Sequence, residues 1–83
     1  MPTADQPASG QFSTYQFFSN GDYEPVAEWV DAKTAMGTAV SLIHSLGAKI
    51  GTTERVIITD GDDFINFDWQ HGKGVVFPPP PAP

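Results

Sequence analysis

The stretch from Asp31 to Ile50 constrains this chain most, because it is the one segment whose apolar residues repeat with a helical period. Ala32, Ala35, Met36, Ala39, Val40, Ile43, Leu46 and Ile50 follow the i, i+3, i+4, i+7 spacing that gathers side chains on one side of a helix. Lys33, Thr34, Gly37, Ser41, His44 and Ser45 fall on the opposite side. A helix of this kind must lie on something. Asp31 suits the N-cap, since its carboxylate can accept a hydrogen bond from an unpaired first-turn amide and sits at the positive end of the helix dipole. Gly47 or Gly51 can end the helix in a left-handed conformation. Gly51 is the better stop because Ile50 is still in phase with Ile43, although Gly47 then costs about 1 kcal/mol relative to alanine.

The segments on either side read as strands. Phe12 to Ser19 and Tyr23 to Val30 flank Asn20-Gly21, a dipeptide suited to the two-residue hairpin turn in which both central residues need positive φ. That turn would set Phe18 opposite Tyr23 and Phe12 opposite Trp29. Pro25 cannot donate to a strand ladder, so its strand belongs at a sheet edge or carries a bulge, and the register is open to a one-residue slip. Beyond the helix, Glu54 to Thr59 and Phe64 to Gln70 flank the acidic turn Asp60-Gly61-Asp62-Asp63. A four-residue loop pairs Ile58 with Ile65 and Val56 with Phe67, setting apolar against apolar. Ile65, Phe67 and Trp69 alternate with Asn66, Asp68 and Gln70, which predicts one buried and one wet face. Val75-Val76-Phe77 can add a short last strand. The order β-β-α-β-β predicts an α+β fold: an antiparallel sheet of four or five strands with one helix packed on one face. A disordered lead over 1–10, a single domain over 11–77 and a proline-rich tail over 78–83 complete the organisation.

A chain of 83 residues builds one thin core. Ten carboxylates against four Lys and Arg give a net charge of −6, which disfavours direct contact with a nucleic-acid phosphate backbone. With no cysteine, disulfides, thiolate metal sites and thiol nucleophiles are excluded. Neither a secretory leader nor a membrane-spanning apolar run is present in the sequence, so a cytoplasmic location is expected, without membrane association.

The motifs that carry chemistry are weak. Asp60, Asp62 and Asp63 begin like a calcium loop, but Phe64 stands where the next oxygen ligand belongs and no closing Glu follows, so an acidic turn is the better reading. His44 and His71 lack a nucleophile in any recognisable arrangement, and a metal-assisted enzyme would have only these two and Asp62 to draw on. Gly72-Lys73-Gly74 lacks the spacing of a phosphate loop. Phe77 to Pro81 resembles ligands of aromatic-lined polyproline-binding grooves, but a stiff, soluble chain end is the better reading. No catalytic activity, cofactor or metal is therefore expected.

Six Phe, two Tyr and two Trp are more ring surface than one alanine-rich helix can shield, and contiguous exposed apolar surface marks interfaces. The expectation is a small acidic interaction module that forms a homodimer or binds another protein, with Tyr15, Phe17, Phe18, Tyr23, Trp29 and Trp69 as candidate interface residues. The alternative is an acidic inhibitor of the phage or mobile-element kind, the anti-CRISPR and anti-restriction class. Its Glu24, Glu28, Asp60, Asp62, Asp63 and Asp68 would then occupy a nucleic-acid channel.

Overall fold

The computed structural model describes residues 11–62 and 64–79. The predicted lead over 1–10, Asp63 of the acidic turn and residues 80–83 of the proline tail lie outside the described residues. Strands β1 (Phe12–Phe18) and β2 (Tyr23–Val30) are followed by helices α1 (Ala32–Ile43) and α2 (Leu46–Ile50), then by β3 (Thr53–Thr59), β4 (Ile65–Gln70) and β5 (Gly74–Phe77). All five strands join one antiparallel sheet in the order β2-β1-β3-β4-β5. The predicted α+β architecture is therefore present, with five strands and with the helical layer on one face of the sheet.

Small residues bring helix and sheet together. Ala35 and Ala39 are wholly buried and meet Val56 and Ile58 of β3 and Phe67 of β4, with Phe12, Val30, Leu42, Ile43 and Trp69 packed around them. The side chain of Thr14, fully buried in β1, donates a hydrogen bond of 2.8 Å to the carbonyl of Ala35. A helix can approach a strand this closely only where its facing residues are small. The buried stripe is narrower than the predicted one: Met36, Val40, Leu46 and Ile50 remain exposed.

The single predicted helix is in fact two. Asp31 caps α1 by accepting from the amide of Thr34 at 2.7 Å, as expected, but Ser45 turns extended and interrupts the helix. Its hydroxyl donates to the carbonyl of Leu42 and accepts from the amide of Ala48, so one side chain closes α1 and caps α2. The bend lets α2 descend onto β3, where Ala48 is buried. Gly47 is required there: a Cβ at this position would lie 2.9 Å from the hydroxyl of Thr53. Gly51, with φ 91°, ends α2 as predicted.

Both hairpin registers differ from expectation. In the first, Phe17 rather than Phe18 faces Tyr23, and Phe12 faces Val30 rather than Trp29. The amide of Gly21 donates to Phe18 and that of Phe18 to Asp22, which makes a three-residue loop with Gly21 at φ 94°, and β2 carries two further irregularities. Pro25 lies on this edge strand beside one of them, as its missing N–H requires. In the second hairpin Ile58 faces Phe67 and Val56 faces Trp69, because a shift between Ile58 and Thr59 moves each partner two residues along. Apolar still meets apolar, which is what the alternation demanded.

The packing at Ala39 gives a direct test. Ala39→Leu forces the helix off the sheet and is expected to destabilise the fold by about 1–3 kcal/mol. Thr14→Val removes the hydroxyl bond at a loss of about 1 kcal/mol. Urea unfolding midpoints at constant m-value measure both.

Candidate interaction face

Alternation along β1 sends Phe12, Thr14 and Gln16 toward the helices, and Ser13, Tyr15 and Phe17 to the opposite face. Cross-strand partners share a face, so pairing extends this set across the sheet. Tyr23 and Pro25 of β2 pair with Phe17 and Tyr15. Arg55, Ile57 and Thr59 of β3 pair with Phe17, Tyr15 and Ser13. Asp68 of β4 pairs with Ile57, and Phe77 of β5 with Asp68. Neither helix lies over these residues.

At the centre is a cluster of rings. The centroids of Phe17 and Tyr23 are 5.5 Å apart and those of Tyr15 and Tyr23 6.3 Å apart, both pairs tilted. The guanidinium of Arg55 sits 5.7 Å from the Phe17 centroid and grips Asp68 with two bonds, Nε to Oδ1 at 3.0 Å and Nη2 to Oδ2 at 2.7 Å. The Asp68 carboxylate accepting those bonds raises the pKa of Arg55, so the cation persists across the accessible pH range. Asp68 and Ile57 are each only 7% exposed although no helix covers them; the guanidinium holds Asp68, and Tyr15, Phe17 and Tyr23 line a depression with Ile57. The face is thus rich in rings, with its central charge pair neutralised internally.

Depressions interrupt it. Tyr15, Phe17, Tyr23, Ile57 and Thr59 line one of about 260 Å³, and Phe17, Phe18, Gly21, Glu54, Arg55 and Gln70 line another of about 300 Å³. Both lie at or below the small end of the range for small-molecule sites.

Of the candidate interface residues, Tyr15, Phe17 and Tyr23 come together on this face, with Phe18 at the end of β1 beside the second depression. Trp29 stands near the far end of β2, 58% exposed, and Trp69 packs on the opposite face against the helical core and edge-on to His71. Ser13, Arg55, Ile57 and Thr59 belong to the face but were not among the candidates. Ser13 is there by the alternation of β1 itself, whereas Arg55, Ile57 and Thr59 are brought there only by the pairing of β1 with β3, about forty residues apart in the chain.

The candidate carboxylates do not converge. Glu24 accepts from Gln16 Nε2 at 2.6 Å, and Asp68 is held by Arg55. Glu28 is exposed on β2, and Asp62 is exposed in the turn. Asp60 organises that turn, accepting from Asn66 Nδ2 at 3.0 Å and from the amides of Asp62 and Phe64. The two histidines bind backbone carbonyls of the helical layer, His44 Nδ1 to Val40 and His71 Nδ1 to Ala48, each at 2.8 Å. Comparison with protein-family models, curated proteins and solved structures returns no match.

The bond from Asn66, followed by those from the two amides, holds the Asp60 carboxyl below the ordinary carboxylate range. A depressed folded-state value means that this stabilisation is fully present above the unfolded value of about 3.9 and is lost as pH falls through the lower folded value. The gap in urea midpoint between the parent protein and Asp60→Ala is therefore expected to be constant near neutrality and to close below pH ~4. A gap independent of pH would show that the ionised carboxylate is not what holds the turn.

Proposed function

We propose that this chain is a cytoplasmic, non-catalytic interaction module that self-associates through the uncovered face of its sheet. The observation that carries this reading is the cluster of Tyr15, Phe17 and Tyr23 on a face where Arg55 and Asp68 already neutralise each other. Water gains nothing electrostatic by staying there, and the apolar surface favours contact.

Strands ~4.8 Å apart and about seven residues long at ~3.3 Å per residue give a face of roughly 500 Å² in projection. Each partner in a standard interface contributes about 800 Å² of accessible surface, so the flat face supplies the larger part of what a stable dimer needs. A two-fold axis would stack the sheets about 10 Å apart and supply the layer that each molecule lacks. Among the described residues no helix is long and apolar enough to cross a membrane, which accords with a partner met in water. The nucleic-acid decoy reading is the weaker one, since three of its six carboxylates, Glu24, Asp60 and Asp68, are engaged within the molecule.

Sedimentation or light scattering after gel filtration is expected to give a particle of twice the 8.9 kDa chain mass that dissociates on dilution. Tyr23 is 62% exposed, so Tyr23→Glu leaves the fold intact while weakening the dimer at least tenfold, about 1.4 kcal/mol. Because each copy carries a charge of −6, added salt screens their repulsion and tightens the dimer, the opposite of its effect on an acidic decoy bound to a basic channel. A monomer at every concentration overturns the proposal.

A further inference from the structure

Trp29 is the one non-glycine residue with positive φ among the described residues, at 55°. An aromatic side chain is strained in this left-handed region, whereas glycine adopts it freely. The strain is held by a specific bond: the Trp29 amide donates to the hydroxyl of Ser13 at 3.1 Å, and Ser13 is 1% exposed. Ser13 belongs to the uncovered face, so this hydroxyl ties the Trp29 backbone to the margin of that face. Yet Trp29 itself is 58% exposed and lies outside the buried core. The fold has no need of an indole here.

We infer that Trp29 is the anchor of self-association, inserting into the depression lined by Tyr15, Phe17, Tyr23, Ile57 and Thr59 on a second copy of this chain. The inference rests on the self-association proposed above and names its central contact. Three observations support it. The depression, about 260 Å³, has room for one large aromatic side chain, and its walls are rings with Ile57 beneath them. Tyr15, Tyr23 and Thr59 bring hydroxyls that can accept the indole N–H once it leaves water. The edge strand that carries Trp29 is unsuited to pairing with another strand, since Pro25 lacks an N–H and two register shifts disturb the ladder, so contact there falls to side chains.

The area also favours a second copy. The flat face, roughly 500 Å² in projection, falls short of the ~800 Å² per partner of a standard interface. An exposed tryptophan at its margin adds on the order of 100 Å², and a two-fold axis makes each copy both give and receive one. Ser13 acts in this arrangement as a positioning residue, fixing the backbone from which the ring projects.

Trp29→Gly separates anchor from fold, because glycine relieves the strain while removing the ring. The variant is expected to unfold at the same or a higher temperature than the parent, and to dimerise at least 30-fold more weakly by sedimentation equilibrium. Trp69→Phe leaves Trp29 as the sole indole reporter. Its emission is expected to shift to shorter wavelength, and its quenching by acrylamide to fall, as the protein is concentrated from monomer to dimer. Ser13→Ala should weaken the dimer less than loss of the ring does. If the parent dimerises and Trp29→Gly dimerises equally well, or Trp29 emission does not change across the transition, the anchor is overturned while self-association stands. If the parent never dimerises, both fall together.

Discussion

The contact between the Thr14 hydroxyl and the Ala35 carbonyl sets the geometry of the molecule. It is available only because Ala35 and Ala39 allow the axis of α1 to settle close above the central strands, and because β1 places a hydrogen-bonding side chain where a valine would leave that closeness uncompensated. Val56, Ile58 and Phe67 are buried in the same cluster as those two alanines. The alanines also limit the reach of the helical layer. A helix that packs through alanines covers little width, and α1 meets β2, β1 and β3 while only the short α2 extends the layer along β3. The same closeness requires the interruption at Ser45, because a straight continuation of α1 could not bring Ala48 and Gly47 down onto Thr53.

A one-sided helical layer leaves the second face of the sheet to its own side chains, which shield one another. Arg55 lies near the ring of Phe17 and locks Asp68, and beneath them Ile57 reaches burial comparable with that of the true core. A lone carboxylate as enclosed as Asp68 would be costly, and the bidentate guanidinium supplies what water would otherwise provide. The result is a surface of low net charge on a molecule with a charge of −6. That contrast sets the neutral face against the overall acidity of the chain.

The two sheet edges are treated differently. At β2, Pro25, two register shifts and the left-handed Trp29 break the ladder, so the strand is closed to further pairing while remaining rich in exposed side chains. At β5 the edge is four residues long and runs directly into Pro78 and Pro79. Brevity and proline limit that edge, whereas irregularity limits the other.

The sequence by itself determined the elements and their class. Helical periodicity between Asp31 and Ile50, alternation in β4, and Gly and Asp at the turns are local signals, and the α+β fold with its N-cap at Asp31 and stop at Gly51 followed from them. It also marked Tyr15, Phe17 and Tyr23 as surplus ring surface. Three things were decided only by tertiary structure. The helix breaks at Ser45, whose hydroxyl closes α1 and caps α2, and the bend seats Ala48 in a buried position. The registers shift because bulges and side-chain bonds to turn amides outweigh the turn type that Asn20-Gly21 favours on its own. The candidate face takes in Arg55, Ile57 and Thr59 because β1 pairs with β3 across the whole helical segment. Propensity and periodicity act over a few neighbouring residues, whereas strand pairing between distant segments is set by which burial is best for the whole chain, and no local pattern records that choice.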